Sequence, residues 1–301
     1  MKILPKIDIH VHSTPEERFL INIGDYSYAT PEQLRKIYDK TGVEKGVLLP
    51  SGNYGAGSYD MVSMREARDM VKNYPDTLGW WFCSVHPRAG KNTPDVDLSH
   101  FINQLKAHGA RGIGELTFNM YFDDPYVLNL FKHAEKCDMP VIIHIGNMGG
   151  DYGLVDELGL PRLEKVLKMF PKLRILGHSQ KFWAEIGSDC TEENRNGYPT
   201  GKVTPGRVVE LMRKYPNLCG DLSAGSGYNA ISRDPEFGAA FLEEFQDRLY
   251  YGTDICSPTN INNPMLKLSA LLDEFMQNGK ISYRAYEKIS RGNALDLLEK
   301  H

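Results

Sequence analysis

Nowhere in these 301 residues does an apolar run approach the length needed to cross a membrane, so no membrane partner is expected. The five cysteines, at 83, 137, 190, 219 and 256, form no CxxC pair. An odd number without that spacing argues against a disulfide framework or structural zinc site and fits reduced thiols. Neither charge dominates: 35 Lys and Arg stand against 39 Asp and Glu, a net of −4 with no long run of either sign. Without a basic stripe to meet phosphate backbones, a nucleic-acid partner is not expected. Repeats, low-complexity tracts and linkers are missing too, and the expectation is one domain over 1–301. The amino terminus, MKILPKIDIHVH, reaches polar residues and a proline before any apolar stretch long enough for a signal peptide. A cytoplasmic protein with a small-molecule substrate is expected, and the composition leaves a homo-oligomer open.

What is present is ordinary for a globular protein: 41% hydrophobic and 25% charged residues, enough to build a sizeable core. Short Ile/Val/Leu-rich runs alternate with amphipathic stretches along the whole length, the rhythm of parallel βαβ units. Eight rounds are legible, with strands predicted at Lys6 to His12, Lys45 to Pro50, Leu78 to His86, Gly112 to Leu116, Val141 to Ile145, Leu173 to His178, Leu218 to Ser223 and Leu249 to Asp254. Thr30–Pro31, Asp124–Pro125 and Thr204–Pro205 each read as an N-cap followed by proline in the first turn, and Asp234–Pro235 is a further helix start. Asn263 to Gln277 reads as the closing helix, and Tyr283 to Glu299 as extra helices on the barrel exterior. The predicted fold is an α/β (β/α)₈ TIM barrel with extra C-terminal helices; such barrels commonly reach about 250 residues or more as one unit. Two long connections, Ser13 to Ala29 and Ser179 to Lys202, leave strand C-termini and are candidates for a substrate rim or lid.

DIHVH sets His10 and His12 two apart on a strand, so both imidazoles share a side, here the barrel interior near its C-terminal mouth. VIIHIG ends the fifth predicted strand with His144, RILGHS the sixth with His178, and LYYGTD the eighth with Asp254. A single histidine in such a place is more often a satisfied core residue. Several ligand types converging on one rim of a closed barrel instead suit a divalent metal.

With that order of HxH, His, His and Asp, the sequence resembles the amidohydrolase superfamily, within it the amidohydrolase-2 group of hydrolases, lactonases and non-oxidative decarboxylases. The resemblance covers essentially the whole chain, with GHSQKFWAEI and YGTDICSP its most family-like stretches after DIHVH. It implies that His10, His12, His144 and Asp254 bind metal, while His178 binds a second metal or contacts substrate. The fourth strand carries Glu115 in GIGELTF where binuclear members often have a carbamylated lysine. A glutamate there looks more like the TatD-type deoxyribonucleases, whose carboxylate bridges two ions. The plainer reading pairs Glu115 with Arg111 or Arg88.

The expected cofactor is zinc, one ion or two, with manganese the alternative. The expected mechanism has the ion bring a water toward ionisation at neutral pH, so that it attacks an electrophilic carbonyl. Asp254 accepts the water proton, and His178 polarises the carbonyl of a small ester, lactone or amide, one that could carry a carboxylate. Arg88 of HPR is a candidate grip for such a carboxylate or else a structural ion pair. Trp183 is a candidate apolar wall, or packs its loop onto the barrel. Tyr228, with Gly225, Gly227 and Arg233, is a candidate lining residue. Decarboxylation of an aromatic acid is the nearest rival, phosphodiester hydrolysis the third, and a non-catalytic barrel binding protein the alternative outside enzymes. His100, His108 and His133 fall in predicted exterior helices and carry no expected function; nor does His301.

Overall fold

The computed structural model describes residues 2–17, 27–50, 62–149 and 152–299. Eight parallel strands succeed one another around a ring: β1 (Lys6–Val11), β2 (Val43–Leu48), β3 (Leu78–Cys83), β4 (Ala110–Leu116), β5 (Val141–Gly146), β7 (Ile175–His178), β8 (Leu218–Asp221) and β9 (Leu249–Tyr250). A two-residue strand β6 (Leu154–Val155) pairs with the outer end of β5 and lies off the ring. Backbone bonds close the sheet on itself: Ile9 N–H to Tyr251 O (3.0 Å), Asp254 N–H to His10 O (2.8 Å) and His12 N–H to Ile255 O (2.8 Å). The result is the predicted (β/α)₈ barrel.

The helices are α1 (Pro31–Thr41), α2 (Met64–Asn73), α3 (Ser99–Ala107), α4 (Pro125–Lys136), α5 (Pro161–Met169), α6 (Gln180–Ala184), α7 (Arg207–Lys214), α8 (Ala224–Ser232), α9 (Pro235–Glu244), α10 (Lys267–Gln277), α11 (Tyr283–Glu287) and α12 (Asn293–Glu299). Three of the four proline-marked starts hold. Thr30 caps α1 in a full capping box with Gln33, Asp124 accepts from Tyr126 N–H, and Asp234 accepts from Phe237 N–H. Thr204–Pro205 does not start its helix: α7 begins at Arg207 with Gly206 as N-cap. Pro205 is taken by an antiparallel bridge to Gly187, and Gly206 N–H reaches Ile186 O at 2.8 Å, so that backbone straps the preceding loop.

The core has two shells. Between strands and helices, Val11, Ile143 and Ile175 pack with Leu34, Leu130 and Leu163. Inside the barrel, Ile7, Ile9, Val47, Leu49, Phe82, Ile142, Leu176, Cys219 and Tyr250 form a second cluster. Gly112 makes room for Phe82: a Cβ there would stand 2.5 Å from its ring. Ala294, Leu297 and Leu298 of α12 join this inner cluster. The last helix therefore closes the N-terminal mouth of the barrel and is not an exterior element as the sequence suggested. Its i, i+3, i+4 apolar stripe announces a buried face but not which surface receives it.

The long connection after β7 is mostly fastened. Arg195, buried, pairs with Glu185 at 2.7 Å and donates to the carbonyls of Asp156 (2.9 Å) and Glu157 (3.0 Å). In the connection after β1, Ser13 Oγ donates to Ala29 O (2.8 Å) and Thr14 N–H to the same oxygen (3.0 Å), tying its two ends together. Residues 18–26 of that candidate rim, and His301, lie outside the described residues.

Candidate metal centre

Strand alternation alone does not put His10 in the barrel. Lys6 and Asp8 face outward, to Asp273 of α10 and Tyr38 of α1, while Ile7 and Ile9 face inward. Regular alternation would send residue 10 outward with residue 8. The pairing of β1 with β2 shifts between Asp8 and Val11, so His10 turns inward as well. Val11 then packs outside, and His12 returns to the interior beside His10.

The expected ligands converge. His10 Nε2 and His12 Nε2 stand 3.2 Å apart. Asp254 Oδ1 lies 3.4 Å from His12 Nε2 and 3.6 Å from His10 Nε2, and its Oδ2 lies 3.8 Å from His178 Nε2. Among the described residues, Glu115 pairs with no arginine. Its Oε1 is 2.6 Å from His144 Nδ1 and 3.7 Å from His178 Nε2, and its Oε2 is 3.8 Å from both His10 and His12. One carboxylate oxygen thus faces each half of the histidine set.

The ring orientations test whether a cation fits. His12 Nδ1 meets the carbonyl of Leu49 at 3.0 Å, an acceptor only, so this nitrogen carries the proton and Nε2 points its lone pair into the cluster. His10 Nδ1 donates to Asp221 at 2.6 Å, which turns its Nε2 the same way. Two such nitrogens 3.2 Å apart need a positive species between them, either a proton or a shared metal ion. Donor atoms of His10, His12 and Asp254 all lie within 4.8 Å of one another, as do those of His10, Glu115 and His178. An imidazole and carboxylate set of this kind suits zinc or a similar divalent ion.

The electrostatics agree. Burial works against the His10 imidazolium, but Asp221 outweighs it and raises the pKa to about 10. Burial would raise the carboxyl of Glu115, yet His144, then His10 and His178, hold it well below the usual carboxylate range. Asp254 is likewise lowered, with burial overcome chiefly by His10. Burial, reinforced by the His10 charge, lowers His178. The pocket therefore keeps two ionised carboxylates facing four imidazoles.

Two supports were not identified from sequence. Asp221, at the end of β8, contacts His10 and lies 3.6 Å from His178 Nδ1; Ser223 Oγ is 2.9 Å from the same nitrogen. The signal that selected Asp254, a polar residue ending an apolar strand, is present in LCGD as well. Around them, Tyr28 stacks on His12 (centroids 5.9 Å apart) and Tyr152 lies against His144 (4.5 Å). Gly153 is backed onto His144, where a Cβ would fall 2.9 Å from the ring, and its φ of +118° suits glycine alone.

The three expected substrate residues differ in their surroundings. Arg88 is exposed, with its guanidinium over the Tyr126 ring (4.4 Å) and bonded to Asn92 (3.1 Å). Trp183 is buried behind the strands, packed on Phe182 and Phe241, and does not form a wall of the site. Its indole N–H donates to Asp221 O at 2.9 Å, so it braces the end of β8. Tyr228 is half-buried against the outer core. Arg233 is committed to Asp189 through two bonds of 3.0 and 3.1 Å. Cys256 is half-buried, its Sγ 3.5 Å from Asn260.

Comparison with known proteins follows the same line. Residues 7–300 match the family described as Amidohydrolase. No curated protein matches the sequence. Among solved structures, 2,6-dihydroxybenzoate decarboxylase from Rhizobium superposes with a TM-score of 0.58 at 16% identity, covering 99% of each chain. An amidohydrolase from Burkholderia multivorans with bound zinc gives 0.60 at 12% identity over 98% of this chain and 99% of that one. 5-Carboxyvanillate decarboxylase from Novosphingobium aromaticivorans, complexed with manganese and a nitrobenzoic acid, gives 0.54 at 15% identity, covering 98% and 96%.

Proposed function

The chain belongs to the amidohydrolase family, and from that premise we propose that it is a metal-dependent hydrolase of a small ester, lactone or amide. The observation that carries this reading is the position of Asp254. Its side chain is 27% exposed, whereas His10 is fully enclosed and His178 nearly so, and its two oxygens face His10, His12 and His178 together. His10, His12 and Asp254 would hold the ion, with Glu115, His144 and His178 opposite; zinc is the proposed metal and manganese the alternative. A divalent ion in this position supplies electrophilic activation of water and of a carbonyl.

The protein's own groups do the rest. Asp254, ionised and reachable from the mouth, takes the proton of the attacking water. His178, its Nδ1 engaged by Ser223, faces the same space with Nε2 and is placed to touch the carbonyl oxygen. Asp221 and the Leu49 carbonyl keep His10 and His12 in one tautomer each.

A second reading, non-oxidative decarboxylation, is favoured by the tyrosine rings beside His12 and His144, which suit a flat aromatic acid. Two of the solved relatives are named as decarboxylases of such acids. Panels of lactones, esters, amides and aromatic acids in ¹⁸O-labelled water separate the two. Label in the product supports hydrolysis; carbon dioxide release with deuterium entering the ring from D₂O overturns it in favour of decarboxylation.

A further inference from the structure

Asp8 is fully buried on the side of β1 turned away from the cluster, and its four contacts tie together the places that carry the ligands. Oδ1 accepts the backbone N–H of His10 (3.0 Å) and of Thr253 (2.9 Å). Oδ2 accepts the hydroxyls of Tyr38 (2.7 Å) and Thr253 (2.5 Å). We propose that Asp8 is a positioning residue for the metal centre, clamping β1 to the segment that follows β9 so that His10, His12 and Asp254 meet, and that it does so by hydrogen bonding rather than by charge.

The pairing of β1 with β2 shifts at Asp8 to Val11, and this shift is what turns His10 inward. The amide of His10 lies within that irregular stretch, and Asp8 satisfies it. In the segment after β9, Thr253 is held at both its N–H and its hydroxyl. Its Oγ1 in turn accepts Ile255 N–H at 3.2 Å. Between them Asp254 adopts φ +58°, a conformation that side chains other than glycine rarely take without support. Its own N–H donates back to His10 O at 2.8 Å. The circuit from Asp8 through Thr253 and Asp254 to His10 fixes the direction of Asp254 and the phase of β1 at once, across the seam where the barrel closes.

A carboxylate can take four donors, but an amide can serve too. In Asp8→Asn the carbonyl keeps the two backbone N–H groups, while the NH₂ donates to the Tyr38 and Thr253 hydroxyls, which can accept as readily as donate. Asp8→Ala removes all four contacts.

The inference rests on the cluster holding a metal, so the test measures zinc affinity directly, by competition of metal-free protein with a chromophoric chelator, alongside thermal melting. Asp8→Ala is expected to bind zinc about 10- to 100-fold more weakly than wild type. Thr253→Val should be weakened several-fold, and Asp8→Asn should stay close to wild type. Leu167→Ala, which opens a cavity in the outer core beneath α5, should melt earlier with unchanged zinc affinity. If Asp8→Ala does not fold, Thr253→Val decides. Wild-type affinity in Asp8→Ala or in Thr253→Val overturns the clamp, and so does an Asp8→Asn protein as weak as Asp8→Ala, since charge would then be responsible. A wild-type protein that takes up no metal overturns the metal reading and the clamp with it.

Discussion

Asp254 and Glu115 carry opposite burdens within one cluster, although both are carboxylates held low by neighbouring imidazoles. Asp254 is reached from the mouth, and its proposed work is to move a proton. Asp254→Asn keeps the shape and the backbone bond to His10 O but cannot take that proton, so turnover is expected to fall by about 10² to 10⁴ with the fold retained. Far-UV circular dichroism checks the fold, and initial rates on the substrate found by screening check turnover; a wild-type rate would remove the general-base role. Glu115 faces both halves of the histidine set, an arrangement suited to bridging two ions about 3.5 to 4 Å apart. Glu115→Gln should bring metal content toward one ion per chain and cut activity sharply. Wild-type protein saturated with zinc or manganese and freed of excess that holds one ion per chain would refute the bridge. The six side chains that converge were legible because each lies at or near the C-terminal end of an apolar strand. Asp221 carries the same signal, since a strand-end carboxylate that orients a histidine looks in sequence like one that would bind an ion.

Among the elements, the strands and capped helices follow local rules, and the departures occur where another part of the chain competes for the same backbone. Thr30 and Asp124 cap as expected because a backbone N–H of the first turn, of Gln33 and of Tyr126 respectively, lies within reach of each side chain. Thr204–Pro205 fails because the strap to Gly187 takes that backbone first. The last helix is the larger departure: its apolar stripe fills the bottom of the barrel with Ala294, Leu297 and Leu298. Leu297→Ala should therefore behave as a core truncation, costing about 2 to 5 kcal/mol in urea unfolding. A loss of a few tenths of that, typical of an exterior helix, would mean the bottom of the barrel is closed by other groups.

At the scale of the molecule, metal binding and folding are linked, because the proposed ligands come from β1, β4, β5, β7 and the segment after β9 and meet only in the closed barrel. Zinc at 100 times its dissociation constant would stabilise the fold by about 2.7 kcal/mol. Chelator-treated protein is accordingly expected to melt several degrees lower, with zinc restoring the transition; elemental analysis finding no metal, with no change on chelation, would defeat the assignment. The sequence by itself determined the class of fold, because the order of strands and helices is written in hydrophobic periodicity, and it pointed to the side chains that converge, because strand ends in a barrel share one rim. The inward turn of His10, expected from the sequence, rests on a slip in the β1–β2 ladder that only the tertiary structure decided. It also decided the burial of Trp183 behind the strands and the packing of the apolar face of α12 across the N-terminal mouth of the barrel. Those outcomes rest on contacts between residues far apart in the chain: Asp8 with Thr253, Trp183 with Asp221, Leu297 with Ile7 and its neighbours. Local periodicity specifies which face of a segment is apolar, but the surface that receives it is chosen by the rest of the molecule.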